Sequence, residues 1–140
     1  MTEPWSQGEL LVGGLAGGPL IALITALSFW GGVDPSTGVI VDPHHPQRGD
    51  SLAGVALLTG ASKGSSSSTS TFLECVRLRT APAVLLLTDP DPILVVAAAA
   101  AHEIYQHGPT VVLLSAPPVV ADVATVQVNL AGRVFATRRG

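Results

Sequence analysis

The sequence predicts an α/β domain: a partly parallel central sheet with helices on one face and extra strands on the other. Three observations predict it. Residues 83–87 and 111–114 are continuous apolar runs, as in strands covered on both faces. Between them an alanine-rich run opens at Asp91-Pro92, which suits an N-cap followed by proline at the first helical position. Glycine and proline cut most of the remaining chain into strand-length pieces. At 140 residues, the chain suits a single domain with one core.

In chain order, residues 10–15 and 20–27 read as two early strands separated by a Gly17-Gly18-Pro19 turn. Residues 10–30 carry no charge and are long enough to span a bilayer. Glycine pairs interrupt them, and no positive charge precedes them as a signal peptide would require, so a cytoplasmic protein is expected. The Gly-Gly pairs lack a helix start and lysine at phosphate-loop spacing and are read as turns. Pro35-Ser36-Thr37-Gly38 is a further turn, leading into a strand at 39–41.

Asp42-Pro43-His44-His45-Pro46 is locked by proline and reads as a polar surface loop. Two adjacent histidines diverge on an extended chain, so His44 and His45 make a poor metal pair, and no metal is expected on this chain. Residues 52–58 form a strand, and a helix follows over 72–79, ended by Thr80-Ala81-Pro82. The next helix covers 93–106, with His102 and Glu103 at its solvated end, and Gly108-Pro109 stops it. Alternation over 125–130 marks a half-exposed strand, and 133–137 closes the sequence of elements.

The composition is 47% hydrophobic and 12% charged, which leaves few solubilising groups and predicts apolar surface meant for a partner. A net charge of −3 without a basic cluster gives no footprint for nucleic acid. Cys75 is the single cysteine, so the chain supplies neither an internal disulfide nor a multi-thiolate metal site. Any iron–sulfur cluster would need another polypeptide. Among Leu73, Val76 and Leu78, the thiol reads as a small core residue.

The chemistry is expected in Lys63-Gly64-Ser65-Ser66-Ser67-Ser68-Thr69-Ser70-Thr71. By composition alone such a run is a flexible linker. Its place between apolar segments makes it a strand-to-helix loop instead, and Thr71 with Glu74 fits a capping box. Small hydroxyl residues at a helix start can leave backbone N–H groups free for an anion or a developing negative charge.

With these segments placed, the chain resembles the small swivelling domain of the aconitase X family. The matching pieces are Ser28-Phe29-Trp30-Gly31-Gly32-Val33-Asp34-Pro35, Gly38 with Ile40 and Asp42, His45-Pro46, Gly64-Ser65-Ser66 with Leu73-Glu74, Ala81-Pro82-Ala83 and Asp91-Pro92-Ile93. They keep order and spacing over roughly residues 10–115. The resemblance implies a swivelling β/β/α fold and a hydro-lyase that removes water from a hydroxy acid. It also implies a large-subunit partner that carries the iron–sulfur cluster, polarises the leaving hydroxyl and makes most substrate contacts. By the same resemblance Ser65 is the candidate catalytic base, with Ser66 second, and Lys63, Gly64 and Ser66 bind substrate. The departures from the family pattern are Lys63 in place of arginine, which loses a bidentate fork, and Ser68, Thr69 and Thr71 in a loop that is otherwise richer in glycine.

Bacterial relatives act on cis-3-hydroxy-L-proline and archaeal ones on phosphomevalonate. Six arginines against one lysine lean the reading towards the bacterial reaction. A second class of function is a non-catalytic interaction subunit that keeps the swivel fold. A phosphohistidine carrier would need a histidine in a glycine-rich loop opening a helix, whereas His44 and His45 lie between prolines.

Overall fold

The computed structural model describes residues 3–63 and 67–140. Among these residues, strands β1 (Ser6–Val12), β2 (Ala16–Ala22), β5 (Ala56–Thr59), β6 (Val84–Leu87), β7 (Thr110–Leu114), β8 (Val123–Val128) and β9 (Arg133–Arg138) close into a barrel in the order β1-β7-β6-β5-β2-β8-β9. The run β2-β5-β6-β7 is parallel, and the remaining neighbours are antiparallel. A two-stranded hairpin, β3 (Val33–Asp34) with β4 (Val39–Ile40), stands outside the barrel. The helical elements are the short kinked turn α1 (Phe29–Gly32), α2 (Ser67–Arg77) and α3 (Pro92–Tyr105).

The parallel strands sort their side chains by the period of two that a pleated strand imposes. Ala56, Leu58, Val84, Leu86, Val112 and Leu114 point into the barrel, where they meet Val126, Val128 and Val134. Leu57, Leu85, Leu87 and Val111 point outward under α2 and α3, against Phe72, Cys75, Val76, Leu94, Ala97 and Ala101. Both helices therefore cover one side of the parallel strands, as expected, and the antiparallel strands complete the wall. Closure into a barrel was not expected, because it depends on β8 and β9 joining β2 to β1.

The Gly17-Gly18-Pro19 turn is corrected: these residues lie inside β2. A Cβ on Gly18 would sit 2.4 Å from the Gly54 carbonyl oxygen, and one on Gly17 would sit 2.4 Å from the Gln127 side chain, so glycine is needed for close approach rather than for reversal. The reversal falls earlier, where Gly13 has φ +81° and Thr110 Oγ1 both accepts from the Gly14 N–H and donates to the Gly14 carbonyl.

The expected capping box at Thr71 does not form, since α2 starts at Ser67 and both Thr71 and Glu74 lie within it. Thr71 Oγ1 turns back to the Ser67 carbonyl, and Glu74 pairs with Arg77 at i+3. The helix ends at Arg77, two residues before the expected Arg79, with Arg79 at φ +61° and Thr80 N–H returning to the Cys75 carbonyl. In α3, Asp91 is the N-cap with Pro92 behind it, as expected, and Gln106 closes the helix in the left-handed region.

The histidine segment is a surface loop as expected, with Pro43, His44 and Pro46 exposed, but His45 turns inward from it. His45 is 6% exposed. Its Nδ1 accepts the Gln47 N–H at 3.0 Å, which leaves the proton on Nε2 to be donated to the Thr25 carbonyl at 3.2 Å. Gln47 continues the clamp, accepting from Ile24 N–H and donating to the Ala22 carbonyl. His102 is likewise held, by the Pro109 carbonyl at 2.9 Å. No helix among the described residues is long and apolar enough to cross a membrane.

Candidate functional site

The parallel strands β2, β5 and β6 all end on one rim of the barrel, the end at which α/β sheets place their ligands. From β2 the chain crosses this rim through residues 23–34. From β5 it continues into residues 60–63, and from β6 into Asp89, Pro90 and Asp91. The three exits are tied together: Leu23 N–H donates to the Leu58 carbonyl, Lys63 N–H to the Leu27 carbonyl at 3.4 Å, and Ser62 N–H to Asp91 Oδ2 at 2.6 Å.

Lys63 is exposed and lines an open concavity of about 550 Å³ with Ser28, Trp30, Gly31, Gly32 and Asp42. The Asp42 carboxylate is turned towards its own loop, where Oδ1 accepts the His44 N–H at 2.9 Å. The α1 side of this concavity is tied to the first turn of α2. Ser68, fully buried, lies 3.2 Å from Ser28 Oγ and accepts the Trp30 N–H at 3.4 Å, while Ser28 Oγ donates to the Trp30 carbonyl.

This network leaves the Trp30 indole 64% exposed on a turn where Gly31 has φ +75°. Beyond Trp30, a second concavity of about 400 Å³ is lined by Pro35, Ser67, Ser70, Thr71 and Glu74. Trp30 is thus the ridge between two hollows on either side of the start of α2.

Of the residues expected at the site, Lys63 lies on this rim. Gly64, Ser65 and Ser66 lie outside the described residues. The next residue, Ser67, opens α2, so the positive end of that helix adjoins the segment along the chain. Cys75 is fully enclosed, and burial raises the pKa of its thiol. It faces the helix–sheet core rather than the rim.

Sequence reasoning used Asp42 and Trp30 only as parts of a family pattern, although an aromatic set against paired glycines was itself a signal of an exposed ridge. It did not find the Ser28–Ser68 contact or the second bond of Asp91. Both pairs join residues far apart in the chain.

Comparisons with known proteins agree on one family. A family model described as the aconitase X swivel domain matches residues 6–137. A cis-3-hydroxy-L-proline dehydratase of Pseudomonas aeruginosa is 43% identical over 95 residues, which are 68% of this chain and 16% of that protein. A phosphomevalonate dehydratase small subunit of Methanothermobacter thermautotrophicus is 38% identical over 77 residues, 55% of this chain and 59% of that one. The chain thus spans only part of these curated relatives. The crystal structure of Thermococcus kodakaraensis aconitase X in its holo form superposes with a TM-score of 0.80 at 27% identity, over 95% of this chain and 98% of that one.

Proposed function

Because the chain belongs to the aconitase X swivel-domain family, we propose that it is the small component of a hydro-lyase that dehydrates cis-3-hydroxy-L-proline at the interface with a larger chain. The observation that carries this reading is the concavity in which Lys63 and Asp42 share one rim. The Lys63 ammonium on this wall suits the carboxylate of a hydroxy acid. Two cis-3-hydroxy-L-proline dehydratases match 68% and 96% of this chain and phosphomevalonate dehydratase small subunits 50–66%, which supports this choice of substrate.

In this reading the Ser65 hydroxyl oxygen takes the proton from the carbon bearing the carboxylate. The C–H electron pair forms the double bond, the neighbouring carbon loses hydroxide, and the proton that Ser65 took balances it as one water overall. A serine is a poor base unless its alkoxide is stabilised. Here the stabilisers are the Lys63 ammonium and the N-terminal end of α2, which opens directly after Ser66 in the chain. Gly64 and Ser66 contact the substrate in the same reading.

An iron–sulfur cluster does not fit this chain, because such clusters need several thiolates and the one cysteine is enclosed in the core. We assign the cluster to the larger chain, and no step of this chain's chemistry runs through it.

The test reconstitutes the chain with its larger partner. Ser65→Ala is expected to lower turnover of cis-3-hydroxy-L-proline by about a hundred-fold or more while the complex still assembles. Unchanged turnover would leave this chain an interaction subunit only. Turnover of phosphomevalonate in its place would overturn the choice of substrate.

A further inference from the structure

We propose that Asp91 is a positioning residue for the loop that carries Lys63. Helix capping alone does not account for this aspartate. Oδ1 accepts the Leu94 N–H at 3.2 Å as the cap of α3, a task that serine, threonine or asparagine performs as well. Oδ2 accepts the Ser62 N–H at 2.6 Å, across to the segment leaving the neighbouring strand β5. The side chain is 4% exposed, so both oxygens have left water and both need partners.

One carboxylate therefore joins two adjacent strand exits, one residue before Lys63. On its other side the peptide is held by the bond from Lys63 N–H to Leu27. The approach is close along the loop, since a Cβ on Gly60 would come within 3.2 Å of the Asp89 carboxylate. Pinned at Ser62 and at its own N–H, the Lys63 backbone has its direction set before the side chain enters the concavity. Asp91 acts on the reaction through Lys63 and touches no reacting atom.

The catalytic part of this inference rests on Lys63 belonging to the active site. The test is Asp91→Asn, which keeps the shape of the side chain and a capping oxygen for α3 but cannot accept from both amides. Amide hydrogen exchange on the full chain is expected to lose protection at Ser62 and Lys63 by about ten-fold or more, with the α3 interior unchanged. In the reconstituted enzyme kcat/KM is expected to fall at least about ten-fold while the complex still assembles.

Unchanged protection at Ser62 and Lys63 would overturn the inference whatever the activity. Lost protection with normal turnover would also overturn it, and Lys63→Ala then tells which reading failed. If Lys63→Ala abolishes turnover, the site stands and Asp91 does not position it. If Lys63→Ala is also active, the proposed site itself is wrong.

Discussion

Phe29 meets Phe72 edge to face, with ring centroids 4.9 Å apart and ring planes at 78°. Both rings are buried, so the turn that presents Trp30 is anchored on the second turn of α2 by an aromatic pair. Phe72→Ala is expected to destabilise the chain by about 3–5 kcal/mol in urea denaturation. A double-mutant cycle with Phe29→Leu should give a coupling of about 0.5–1.5 kcal/mol. Additive effects would show that the pair does not act as the anchor.

His45 is a second fastening, between the proline-locked loop and Thr25. Its replacement by alanine leaves the Gln47 N–H and the Thr25 carbonyl unpaired, an expected loss of about 1–3 kcal/mol. Thermal melts of His45→Ala against His44→Ala check this. The exposed His44 should be nearly neutral, and equal losses would refute the clamp.

Burial raises the Cys75 thiol pKa above its ordinary value, so the native chain retains a proton that the unfolded chain releases. The sign follows from linkage: the unfolded state binds fewer protons once pH passes about 8.5, and stability falls as pH rises further. Cys75→Val removes this titration. The stability difference between wild type and variant should therefore drift in favour of the variant from pH 7 to pH 10, and a flat difference would contradict it. The native thiol should also resist a disulfide reagent at pH 8 that reacts at once after unfolding.

Gly18 faces the Gly54 carbonyl too closely for any side chain. Gly18→Ala must push β2 away from the start of β5 and is expected to cost about 1–3 kcal/mol, measured by denaturant titration. A neutral outcome would mean that the Gly17-Gly18-Pro19 segment lies outside the strand.

Trp30 makes the opposite prediction. Exposed on its ridge, it contributes little to the fold, and Trp30→Ala should shift stability by less than about 0.5 kcal/mol. If the rim faces the larger chain, the same substitution should weaken assembly by about 2 kcal/mol or more, measured by calorimetric titration. Undiminished affinity would move the interface elsewhere on the surface.

Much of this architecture was legible in the sequence because it is local. Continuous apolar runs made β6 and β7, Asp91-Pro92 opened α3, and Pro35-Ser36-Thr37-Gly38 turned the outer hairpin. The errors fell where a distant partner changes what a residue means. Gly17 and Gly18 look like a turn until β8 and β5 lie against them, and Thr71 looks like a cap until the chain before it also enters the helix.

The sequence by itself determined the fold class, the buried thiol and the family to which the serine run belongs. Hydrophobic period, turn chemistry and ordered motifs are written along the chain. Tertiary structure alone decided that the sheet closes, that His45 and Ser68 are buried, and that Asp91 reaches Ser62. Each depends on two segments meeting in space, and a carboxylate or hydroxyl carries no mark in the sequence of which distant N–H it will accept.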